Sequence, residues 1–79
     1  MPNPQLDLHG VRHHEVSNVV ARFLERWLNS GVFVEVIVGN SDPMLFEAVK
    51  VIQQYGLSYH TGLPSYQGRI LVIMYDEYH

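Results

Sequence analysis

The hydrophobic patterning of this chain predicts an α/β fold of the α+β two-layer type. Its element order is βαβαββ, with a four-stranded mixed sheet and both helices on one face. Three observations carry that prediction. Two segments hold apolar residues at helical spacing, a run of β-branched residues separates them, and two more strand-like segments follow the second helix. Right-handed crossovers then place both helices on the same side.

Leu6-Asp7-Leu8-His9 alternates apolar and polar, the period of a short strand, and Gly10 ends it. Leu6 and Leu8 are expected to face the core, so Asp7 and His9 share the opposite face. Val16, Val19, Val20, Phe23, Leu24, Trp27 and Leu28 then wind into one stripe on a helix, with Ser30-Gly31 as its stop. No Ser, Thr, Asp or Asn precedes that helix in Val11-Arg12-His13-His14, which leaves its first amides to water or a histidine. Val32 to Val38 reads as an interior strand with a parallel neighbour. After Gly39-Asn40-Ser41, Asp42 is the expected cap of a second helix, with Pro43 in its first position. Leu45, Ala48, Val49, Ile52 and Tyr55 form its buried stripe, and Gly56 ends it. Leu57 to Thr61 is the third strand, Gly62 to Gly68 a loop, and Arg69 to Tyr75 the last strand.

Two helices cover only one face. If Val34, Val36, Ile70 and Val72 meet them, Phe33, Ile37, Leu71 and Ile73 lie on the other, or the reverse. Such a patch would suit a protein partner or a second copy of the chain.

The chain is short, 79 residues, so a single domain over 6–75 is expected, with loose tails at 1–5 and 76–79. Charged residues are too few and apolar ones too many for disorder, and no apolar run approaches the ~18 residues of a membrane span. No membrane partner is expected. The absence of cysteine removes disulfides and thiolate metal sites from consideration. The N-terminus has neither the cationic start nor the apolar stretch of a secretory signal, which makes the cytoplasm the expected location. Net charge is −3 with neutral histidines, so the chain lacks the general basic footprint of a nucleic-acid binder and would need a local patch. Arg12, His13 and His14, next to His9, form the one local substitute. A metal reading of His9 and His13 fails because Gly10 interrupts the continuous helix that would bring them to one face. No metal site is assigned.

Leu6-Asp7-Leu8-His9-Gly10, followed by Glu15 and the first helical stripe, resembles the opening motif of the Smr (small MutS-related) domain family. The resemblance covers nearly the whole chain, with Gly39 after the second strand and Gly68 before the last in matching places. It implies a fold similar to the C-terminal domain of bacterial translation initiation factor three. It also implies nucleic-acid binding, of DNA or RNA, and DNA-nicking or RNA-cleaving endonuclease activity, with or without a divalent metal such as Mg²⁺.

On that resemblance Asp7 and His9 take the catalytic positions. One strand face carries both, so Asp7 can orient His9 for proton transfer. The family's phosphate loop, commonly His or Thr, Gly, Lys or Arg, Gly, is here Val38-Gly39-Asn40-Ser41-Asp42, which keeps only the first glycine. Asn40 and Ser41 remain hydrogen-bond donors, while Asp42 opposes an anion. The third family motif falls on Tyr66-Gln67-Gly68-Arg69, where Arg69 is the expected phosphate contact, and Tyr59 and Tyr66 are candidates for stacking on bases. The alternative is a non-catalytic interaction module on the same scaffold, homo-oligomerising through the sheet face.

Overall fold

A computed structural model of the chain describes residues 3–61 and 68–74, and every structural statement below concerns those. The elements run β1 (Gln5–Asp7), a 3₁₀ turn (His13–Glu15), α1 (Val16–Trp27), β2 (Phe33–Ile37), α2 (Asp42–Gln54), β3 (Ser58–His60) and β4 (Arg69–Ile73). This is the expected βαβαββ order. The strands form one mixed sheet in the order β1-β2-β4-β3, with β1 parallel to β2 and the other two pairings antiparallel.

The strand period of two divides the sheet into a helix-covered face and an open one. Val34 and Val36 on β2, with Ile70 and Val72 on β4, are fully buried beside Val16, Val20 and Leu24 of α1 and Ala48 and Ile52 of α2. Leu8 is buried with them and Leu6 packs at the margin. The register sets the open face as three rows across the strands: Asp7, Ile37 and Arg69; Gln5, Glu35, Leu71 and His60; then Phe33, Ile73 and Ser58.

Several boundaries differ from expectation for physical reasons. The first strand begins earlier, because the Pro4 carbonyl accepts the Glu35 N–H at 2.9 Å and draws the N-terminal arm alongside β2. Gln5 therefore belongs to the sheet and not to a loose tail. At the other end of α1, Leu28 is already extended, with ψ 136°, and Asn29 takes a left-handed φ of +59°. The helix stops short of Ser30-Gly31, and Leu28 leaves the buried stripe for solvent. The first turn of α1 has no side-chain cap; a 3₁₀ turn closed by the Glu15 N–H on the Arg12 carbonyl leads in instead.

The cap of α2 is Ser41, one residue before the expected Asp42. The Ser41 hydroxyl accepts the Met44 N–H at 3.3 Å, which places Asp42 in the first turn and Pro43 after it. Val51, absent from the expected stripe, is buried with Ala48 and Ile52. Tyr59 packs toward the helices and accepts a hydrogen bond from the Gln53 amide, so it does not present its ring on the open face. Of the expected loop from Gly62 to Gly68, residues 62–67, with Tyr66, lie outside the described residues, as do Tyr75 of the expected last strand and the expected tail 76–79.

Candidate functional site

Strand direction brings the candidate residues to one end of the sheet. β1 and β2 run parallel and finish together, with Asp7 beside Ile37, and the antiparallel β4 begins there with Ile37 beside Arg69. The loop after β1, the loop into α2 and the start of β4 therefore converge.

Asp7 and His9 form a dyad. One carboxylate oxygen of Asp7 accepts both the His9 backbone N–H at 2.9 Å and the imidazole Nδ1–H at 2.6 Å. These two bonds, the backbone one first, hold the Asp7 pKa below its ordinary value, with smaller help from the charges of His9 and Arg69. An ionised carboxylate only accepts, so Nδ1 carries a proton toward Asp7, and Nε2 is the ring nitrogen that Asp7 does not engage. Both side chains are well exposed.

Gly39 and Gly68 explain how the loops fit around that ring. A Cβ on Gly39 would lie 3.3 Å from His9 Nε2, and Gly39 has φ +63°. A Cβ on Gly68 would lie 3.1 Å from the Gly39 carbonyl oxygen and 3.2 Å from its Cα, again at positive φ. The Gly68 carbonyl accepts from both the Val38 and Gly39 amides, at 2.8 and 3.0 Å. His9, Gly39 and Gly68 are thus stacked so closely that a Cβ at either glycine would make its neighbour give by a few tenths of an ångström, at a φ that other residues rarely adopt.

Beside the stack, a cleft of 370 Å³ is lined by residues that include Gly39, Asn40, Ser41, Asp42, Thr61 and Arg69. It gathers five of the ten sequence-predicted site residues: Gly39, Asn40, Ser41, Gly68 and Arg69. Asp7 and His9 adjoin it across Gly39. Arg12, His13 and His14 are not among its lining; they are exposed on the 3₁₀ turn and the residue before it, with His14 Nε2 4.0 Å from Glu15. No three His, Asp or Glu side chains converge as a metal set among the described residues.

Arg69 is not the free cation that the sequence suggests. Its Nη1 donates to Glu35 Oε1 at 2.8 Å, and Glu35 is only 6% exposed although it lies on the open face. The other Glu35 oxygen accepts from the Asn3 amide at 3.4 Å. Sequence reasoning passed over Glu35. Its signal was present, as the one charge inside the otherwise apolar run from Val32 to Val38.

Comparison of the chain with protein-family models, with curated proteins and with solved structures finds no match in any of the three.

Proposed function

We propose that this chain is a divergent Smr-type nucleic-acid-binding domain of the cytoplasm, acting as an endonuclease on DNA or RNA. The observation that carries the reading is the Asp7–His9 dyad, with Nε2 beside Gly39 at the rim of the cleft. Asp7 fixes the imidazole and steadies the positive charge that His9 acquires on taking a proton. His9 Nε2 would accept the proton of the attacking hydroxyl, a water or an RNA 2′-OH, as that oxygen bonds to phosphorus. The leaving oxygen departs with a proton from solvent or from His9. Asn40, Ser41 and Arg69 are the phosphate-facing donors, and Arg12, His13 and His14 extend the contact along the chain.

The test is incubation with labelled single-stranded RNA, single-stranded DNA and supercoiled plasmid, with and without Mg²⁺. Cleavage should fall about 10²-fold or more in Asp7→Ala and in His9→Ala while both variants stay folded. No cleavage and no binding of any polymer at low salt would overturn the reading.

A second reading is favoured by Phe33, which is 47% exposed on the open face next to Ile73. In it the scaffold is a non-catalytic module that pairs with a protein or with its own copy. A concentration-dependent dimer by sedimentation, abolished by Phe33→Asp, supports that alternative; a monomer at all concentrations removes the self-pairing form.

A further inference from the structure

We infer that Glu35 is a built-in competitor for the anion that Arg69 would bind: the Glu35 carboxylate occupies the guanidinium in the free protein and must be displaced or shared when a phosphate enters the cleft. This rests on the reading of Arg69 as a phosphate contact.

The geometry is specific. Glu35 is almost fully buried, yet it stands on the sheet face that no helix covers. It is held there from two sides, by Arg69 at 2.8 Å and by the Asn3 amide at 3.4 Å. Its position is therefore set by the fold and not by the ion pair alone. Arg69 differs, since its side chain is 40% exposed and also lines the cleft with Asn40, Ser41 and Thr61. An arginine fork has donors enough for two acceptors, and among the described residues Arg69 engages a single Glu35 oxygen. A phosphate entering the cleft would thus find a cation already positioned but partly neutralised. Asp7, two places along the same row of the open face, and Asp42, on the cleft wall, add to the negative charge the anion meets. Glu35 acts through Arg69, so it is a positioning residue whose charge also lowers anion affinity.

The test compares wild type, Glu35→Gln, Arg69→Gln and the double variant. Inorganic phosphate is titrated by amide NMR at Gly68 and Arg69, and a labelled single-stranded oligonucleotide is titrated over a salt series. Glu35→Gln keeps the shape and the Asn3 contact but removes the charge. It should bind phosphate at least threefold tighter than wild type, and the oligonucleotide more tightly with a steeper salt dependence. The double variant should behave as Arg69→Gln alone, which a merely structural role for Glu35 would not produce. Glu35→Asp withdraws the carboxylate by one methylene and should lie between wild type and Glu35→Gln; it serves if the latter does not fold. Phosphate affinity unchanged or weakened by folded Glu35 variants, or phosphate bound by neither protein, overturns the inference. Tighter phosphate binding without any oligonucleotide binding keeps the inference and overturns the nucleic-acid reading instead.

Discussion

The two faces of the sheet are built from the same strands and do opposite things. Toward the helices, Val34, Val36, Ile70 and Val72 are sealed from solvent in one apolar cluster with residues of α1 and α2. One residue away along each strand, the open face mixes Asp7, Glu35 and Arg69 with Phe33, Ile37, Leu71 and Ile73. Stability is concentrated on the first face, and the second carries the charges and the exposed apolar edges. A chain this small has one core, and among the described residues the proposed site lies on the other side and its rim.

Neighbouring residues of β4 test that division most sharply. Ile70→Ala should cost about 3 kcal/mol in urea denaturation, through lost burial and the cavity it leaves. Leu71→Ala, one residue on and half-buried on the open face, should cost about 1 kcal/mol. Equal costs would mean that the open face is as much a core as the covered one.

A smaller effect is expected where the loops meet. Gly68→Ala combines positive φ with a Cβ against the Gly39 backbone, and should cost about 2 kcal/mol. Gly10→Ala has comparable strain, at φ +80°, with open space around its Cβ, and should cost about 1 kcal/mol. The difference between them measures the close approach itself, and no difference would show that the Gly39 loop yields freely.

The smallest effect belongs to Asp7. Its carboxyl titrates below the ordinary range in the folded state, so folding gains stability from it above the unfolded pKa and loses that gain as pH falls through the lowered folded value. Asp7→Asn should therefore lower stability slightly at neutral pH, where that gain is fully present, and flatten the acid limb, so that variant and wild type converge at low pH. An unaltered acid limb would show that the contact with His9 does not persist in solution.

Much of this architecture is legible in the residues. The stripe from Val16 to Trp27, the β-branched run of β2 and the paired glycines 39 and 68 all report local geometry, which periodicity and turn chemistry capture. The strand period led to Asp7 and His9 together, but β1 ends at Asp7, and the contact is made by the turn that follows, where the His9 N–H and imidazole both reach the Asp7 carboxylate. The Glu35–Arg69 pair was hidden because it depends on β4 lying beside β2, a fact of strand order that neither segment states. The cap of α2 was misplaced by one residue because Ser41 and Asp42 are both good caps, and only the backbone angles at Ser41 choose between them. Asn29 was overlooked because Gly31 is the more obvious left-handed residue.

β1 is an edge strand joined to the sheet by three residue pairs, and its partner β2 lies beyond the whole of α1 in the chain. Long-range parallel pairing is costly in chain entropy, so this strand is expected to close late in folding and to open first afterwards. Asp7 sits in that strand and His9 just past it. A brief fraying of this short segment would then carry the dyad, whose bonds are local, away from Gly39 and the cleft while the helices and the other three strands stay assembled, so the lifetime of an edge, not the strength of the core, would set how long these groups stay together.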